Sequence, residues 1–167
     1  MTNTTRLLLL AATLSLAACG FHLRGSDLKG MQFAFQSLYL KKPGETPFVA
    51  DLRRMLTASK VTMTDKPDQA ELVLEVVSEQ ASKQILSLSS SGRVKEYQLF
   101  YRVSLRAYDA KQNDWLQSEE IALSRILAYD DAQVLAKEQE EALLYKDMRT
   151  DAVAQTMRRL SRAKPQL

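Results

Sequence analysis

From Glu96 to Ala107 the chain alternates for a dozen residues. The odd positions are Tyr97, Leu99, Tyr101, Val103, Leu105 and Ala107; the even positions are Glu96, Gln98, Phe100, Arg102, Ser104 and Arg106. Successive side chains of a strand point to opposite faces, so this period-two pattern predicts a long strand buried on one side only. A second strand opens at Leu72, Val73, Leu74, Val76 and Val77 and continues through Ile85 and Leu88. Ser89-Ser90-Ser91-Gly92 is the hairpin turn that joins the two. A third strand runs from about Trp115 to Leu127, after a turn at 109–114. At about 3.3 Å per residue, a strand of about fourteen residues reaches roughly 45 Å.

Helical periods flank these strands. Thr46 is placed to cap a helix with Pro47 at its first position. Val49, Leu52 and Leu56 make one apolar stripe, with Arg53 and Arg54 on the other side. That helix ends near Ser59, and Val61 to Thr64 could form a short strand before the turn Lys66-Pro67-Asp68. Asp130 and Asp131 are placed to cap a long terminal helix, with Leu144, Met148, Val153, Met157 and Leu160 as its buried stripe and Pro165 beyond its end. A short extended segment at 31–40 precedes everything else. Two amphipathic helices need an apolar surface to cover, so the expected fold class is α+β. It is a two-layer sandwich, a mostly antiparallel or mixed four-stranded sheet with both helices on one face, in a single domain over 31–164.

The N-terminus has a different character. Arg6, an apolar run from Leu7 to Leu16, and then Ala17 and Ala18 follow the order of a secretory signal peptide. The run is too short to cross a bilayer, which takes about 20 apolar residues. Leu16-Ala17-Ala18-Cys19 resembles the lipobox of bacterial lipoproteins, and Cys19 is the chain's single cysteine. The resemblance implies a signal peptide at 1–18, cleavage before Cys19, acylation of its thiol and new amine, and a lipidated tether over 19–30. Each buried CH₂ of such an anchor contributes about 0.8 kcal/mol, and several chains hold where one does not. Gly20, where an Asp would imply inner-membrane retention, implies the outer membrane.

The rest of the sequence offers no catalytic constellation. The single histidine, His22, falls in the tether. Ser87 and Ser89 to Ser91 lack the setting of a nucleophile elbow. Glu119 and Glu120 are strand neighbours on opposite faces, and Asp130 and Asp131 are accounted for by capping. No set of residues converges as a metal site or a phosphate loop, so no enzyme activity, metal or cofactor is expected beyond the covalent lipid on Cys19. Removing a leader whose one charge is Arg6 lowers the net charge from +3 to +2, which gives no support for nucleic-acid binding.

Cys19-Gly20-Phe21-His22-Leu23-Arg24 resembles the start of mature proteins of the LPS-assembly lipoprotein family LptE. Ser91-Gly92-Arg93-Val94-Lys95-Glu96-Tyr97-Gln98 is similar to that family's hairpin and following strand, and Leu135-Ala136-Lys137-Glu138 to the start of its last helix. The resemblance implies an outer-membrane lipoprotein facing the periplasm. It would pair one-to-one with the β-barrel LptD, plug the barrel lumen, help the barrel assemble, and contact lipopolysaccharide in transit to the outer leaflet. Lys137 matches a basic position implicated in lipopolysaccharide contact. A second such position, an Arg in the family, falls on Ser91 here, with Arg93 and Lys95 close by. Arg93, Lys95 and Lys137 are therefore the candidate lipopolysaccharide-binding residues. The alternative is a lipoprotein adaptor for peptidoglycan or another envelope assembly complex.

Overall fold

The computed structural model describes residues 31–165. The expected signal peptide, Cys19 and the tether at 19–30 lie outside the described residues. The elements are β1 (Ser37–Lys41), α1 (Pro47–Ala58), β2 (Thr62–Thr64), β3 (Leu72–Leu88), β4 (Val94–Tyr108), β5 (Asp114–Ala128) and α2 (Val134–Arg162). Short 3-10 turns, Pro67–Gln69 and Asp131–Gln133, precede β3 and α2. The sheet has five strands in the order β2-β1-β3-β4-β5. β1 is parallel to both β2 and β3, and β3, β4 and β5 are antiparallel. The α+β sandwich is as expected, with one strand more than the four foreseen. The short strand foreseen at Val61 to Thr64 is the three-residue edge β2, Thr62–Thr64.

The alternation in β4 becomes the floor of the core. Leu99, Tyr101, Val103, Leu105 and Ala107 are buried beneath the helices. α1 buries Phe48, Val49, Leu52 and Leu56 on this floor, and α2 buries Met148, Ala152, Val153, Thr156, Met157 and Leu160. The hydroxyl of Thr156 donates to Ala152 O at 2.9 Å, so this buried polar group is satisfied within its own helix. All of α2's fully buried residues lie at or beyond Met148. Its first half contributes only Leu144 and Tyr145, both half-buried.

β3 changes face along its length. Val76 pairs with Leu105 and Ser78 with Ser104, so Val77 is an extra residue. Before this bulge the even positions Leu72, Leu74 and Val76 face the helices; after it Glu79, Ala81, Lys83 and Ile85 stand opposite β4's helix-facing residues. A bulge costs one residue of pairing and inverts the alternation. Val77 consequently stands half exposed.

Glu79 then joins three elements. Its Oε1 accepts from the Tyr101 hydroxyl of β4 at 2.5 Å, and its Oε2 accepts from the hydroxyl of Thr46. The same Thr46 oxygen accepts from Val49 N at 3.2 Å, the N-cap bond of α1. Burial, followed by the bond to Glu79, pushes the Tyr101 phenol well above its ordinary value. α1 closes in a Schellman motif: Lys60 N donates to Thr57 O and Val61 N to Leu56 O, with Val61 and Leu56 both in the core. Lys60 takes the left-handed conformation there, φ 65°.

Two outcomes are expected. Lys60→Gly removes the left-handed strain and raises unfolding free energy by about 1 kcal/mol, read from urea melts. Tyr101 has a folded pKa above its unfolded value near 10, so its contribution is complete below about pH 10 and is lost as pH rises beyond it. Stability therefore falls above about pH 10, and Tyr101→Phe flattens that alkaline limb in melts between about pH 8 and 11.

Candidate functional site

Three elements meet at the end of the sheet farthest from the start of β1. They are the β3–β4 hairpin, the end of β5 and the start of α2. In the hairpin, Ser89 N donates to Arg93 O at 2.7 Å, and Gly92 N to Ser89 O at 3.0 Å. Gly92 has φ 79°, a conformation open to glycine at little cost. The strands below the turn are bulged twice. Ile85 pairs with Tyr97, Ser87 with Glu96 and Leu88 with Val94, which leaves Leu86 and Lys95 as extra residues. The carbonyl of Lys95 accepts from Tyr129 N at 2.8 Å, and the Tyr97 and Tyr129 rings meet edge-on at 5.1 Å. Asp130 caps the 3-10 turn rather than α2 itself: its Oδ1 accepts from Ala132 N at 3.0 Å, and the helix begins only at Val134. The expected capping aspartate is thus used one turn earlier than foreseen.

The three candidate cations fall at this end. Arg93 and Lys95 are exposed and have no ion pair among the described residues. Lys137 is half-buried, and its Nζ lies 2.8 Å from Glu140 Oε2, one turn along α2. Pairing at this surface position contributes little to stability but partly offsets the lysine charge. The hydroxyls of Ser91 and Ser89 bond to each other, 3.0 Å apart.

Sequence reasoning missed the apolar half of this site. Ile85, Leu86, Leu88, Ile126, Val134 and Leu135 are all exposed, Leu135 by 77%. They belong to the same bulged strand ends and first helical turn that carry the cations. Ile85 and Leu88 lie in the strand foreseen there, but both stay exposed. One turn inward, the contacts under α2 are polar. Lys83 Nζ lies 2.7 Å from Glu141 Oε2 and 4.9 Å from the centre of the Tyr97 ring, and the Tyr145 hydroxyl donates to Ser82 O at 2.9 Å. Glu141 holds the Lys83 ammonium above its usual range.

The sheet face opposite the helices is polar for most of its length. Gln80 pairs with Arg102, Ser82 with Phe100, Gln84 with Gln98, and Ser104 with Glu120, and no element of the described chain covers them. Arg102 lies over the Phe100 ring at 5.4 Å and Arg106 over Tyr108 at 5.0 Å. Glu119 and Glu120 are separated as expected: Glu119 reaches Arg159 of α2, and Glu120 stands opposite Ser104 on the uncovered face. Among the described residues no His, Cys, Asp or Glu cluster could hold a metal, and no helix is long and apolar enough to cross a membrane.

A sequence model of the lipopolysaccharide-assembly family LptE matches residues 35–160. The chain belongs to the LptE family. It is 29% identical over 156 residues to the LPS-assembly lipoprotein LptE of Yersinia enterocolitica, covering 92% of this chain and 73% of that one. It is 28% identical over 151 residues to LptE of Pectobacterium atrosepticum, covering 89% and 80%. Among solved structures, lipoprotein B of Nitrosomonas europaea is 40% identical, covers 85% of this chain and 90% of that one, and has a TM-score of 0.72. The rare lipoprotein B of Shewanella oneidensis is 28% identical, covers 72% and 92%, and scores 0.64. LptE membership agrees with a sheet and helices that form a binding body and no reaction centre.

The lopsided burial of α2 has a measurable consequence. Amide hydrogens over 137–144, near the LptE site, are expected to exchange at least about tenfold faster than those over 150–160, read by mass spectrometry.

Proposed function

We propose that the protein is an outer-membrane lipoprotein, anchored through Cys19, that occupies the lumen of an LptD β-barrel and contacts lipopolysaccharide in transit. One observation carries the lipopolysaccharide contact. The far end of the sheet places unpaired cations, Arg93 and Lys95, among exposed apolar side chains such as Leu86, Leu88 and Leu135. Lipopolysaccharide joins phosphates and acidic sugars to acyl chains, so it presents both complementary chemistries. The cations would make charge-assisted hydrogen bonds to phosphate, and the leucines would cover hydrocarbon. Lys137 reaches the same ligand only by exchanging its contact with Glu140.

The uncovered sheet face supports the plug. A soluble sheet with one bare face exposes backbone edges and rings only where polar side chains keep them wet. Here glutamines, serines and two arginines stacked on rings line that face. Such a surface suits a water-lined barrel interior, where hydrogen bonds to the wall and to trapped water replace those to bulk solvent. Membership in a lipopolysaccharide-assembly family favours this reading over an adaptor for peptidoglycan.

Replacing Arg93, Lys95 and Lys137 together by Asp is expected to weaken lipopolysaccharide binding at least about tenfold, since one charge-assisted bond contributes about 1.5–3 kcal/mol. Lys137→Asp alone should cost less than the Arg93 and Lys95 pair. Unchanged binding in a triple variant with a native circular dichroism spectrum would overturn the contact.

A further inference from the structure

The opposite end of the molecule has its own chemistry. Here β1, β2 and β3 begin, β4 ends, β5 begins, and both helices finish. The described chain starts here as well. Phe33 packs on Phe35 at 5.2 Å between ring centres, and Phe35 meets Trp115 of β5 edge-on at 6.2 Å. The end of α2 arrives beside them, where Ala163 and Pro165 share a recess with Trp115 and Leu116.

The final turn of α2 and the residues after it carry Arg158, Arg159, Arg162 and Lys164. A carboxylate answers one of these four. Arg159 Nη1 is buried and lies 2.8 Å from Glu119 Oε2. Arg158, Arg162 and Lys164 are exposed and have no ion pair among the described residues. Arg158, Arg159 and Arg162 surround a recess of about 250 Å³ with Gln155. Lys60 adds a further exposed cation at this end, in a shallow recess it shares with Met31 and Phe33.

Three of the acids near this end are already engaged. Asp114 pairs with Arg106 at 3.2 Å. Asp109 accepts from the backbone of Lys111 and Asn113, and the Asn113 side chain holds its carboxyl below the usual range. Glu71 accepts from Gln36 N at 2.7 Å. The α2 dipole favours cations in its last turn, but that attraction falls off within the turn and Lys164 lies beyond it. The large exposed apolar side chains lie elsewhere, on β3 from Val77 onward, at the end of β5 and on the first half of α2. This end is built for charge and not for insertion.

We propose that, before the body enters the barrel lumen, Arg158, Arg162 and Lys164, with Lys60 at the same end, dock on anionic phospholipid headgroups of the leaflet that holds the Cys19 acyl chains. The proposal rests on the lipid-anchor reading of Cys19. Two observations select this occupant. The twelve residues 19–30 join Cys19 to the chain where it enters this same end, and fully extended they span no more than about 40 Å. The surface they hold near the membrane is the one with unanswered positive charge. A cation near an anionic membrane surface tightens binding about fivefold. Tethering raises the effective headgroup concentration further, so modest attraction suffices. With this face on the leaflet, the lipopolysaccharide-binding end stands about 50 Å away, the length of β4.

The test uses the mature chain with Cys19→Ser, which has no acyl group, and vesicles of phosphatidylcholine with or without about one quarter phosphatidylglycerol. Expected is binding to the anionic vesicles at least about a hundredfold tighter than to the neutral ones, lost at high salt. Arg158→Glu, Arg162→Glu and Lys164→Glu together should abolish that difference, while Arg93→Asp with Lys95→Asp should leave it intact. Equal binding to both vesicles, or undiminished anionic binding by a folded triple Glu variant, overturns the proposal. So does a triple Glu variant that keeps its vesicle binding and loses its barrel partner, which makes the face a protein contact. Mass spectrometry of the native protein separately tests the anchor: an unmodified Cys19 removes that reading, whatever the vesicles show.

Discussion

The structure depends on the way one face of a long sheet is covered. β3, β4 and β5 each run 15 to 17 residues, yet the apolar layer that seals them is shorter. α1 and the second half of α2 bury Leu99, Val103 and Leu105 of β4 completely. On the β3 side of Tyr97 that layer gives way to Lys83, Glu141 and Tyr145, while Leu127 of β5, on its other side, is the last residue buried completely. Hydrophobic burial stabilises in proportion to apolar area removed from water, so the free energy of folding is concentrated toward the strand end where the chain enters. The remainder is held by backbone ladders and polar contacts.

This gradient separates two tasks. A packed end fixes the geometry of the cations at the close of α2 and of the aromatic side chains Phe33, Phe35 and Trp115. The sparsely packed end keeps Leu86, Leu88 and Leu135 in contact with solvent, which a cytosolic domain without a partner would have reason to avoid. Two bulges in the last turns of the ladder, at Leu86 and Lys95, add twist there and re-aim side chains toward the exterior. Local opening costs less where fewer apolar contacts must break.

Much of the fold was legible because its periods are long. The twelve-residue alternation of β4, the Thr46-Pro47 cap and the α2 stripe from Met148 to Leu160 each repeat enough to outweigh local noise. What was not legible had no period to betray it. The Val77 bulge inverts the alternation of β3 without a Gly or Pro to mark it, so the exposure of Val77, Ile85 and Leu88 could not be read from their apolar side chains. At the candidate site, Arg93, Lys95 and Lys137 could be placed at one end from element order and family resemblance. The exposed leucines around them could not, because exposure is a property of what α2 fails to cover. The pairing of Lys137 with Glu140 lay at ordinary helical spacing, but spacing alone does not say that a bond forms.

The Thr46 hydroxyl, bonded to both Val49 N and Glu79, has a consequence for folding itself. Helix cap and central strand share one atom, so α1 cannot start elsewhere without abandoning a carboxylate, and β3 cannot slide by one step without carrying that carboxylate to the wet side. The long ladder contains serine-rich stretches that would tolerate several offsets. This single oxygen acts as an index pin: a mis-set helix gives up one of the two side-chain bonds that Glu79 accepts, and a slipped strand gives up both.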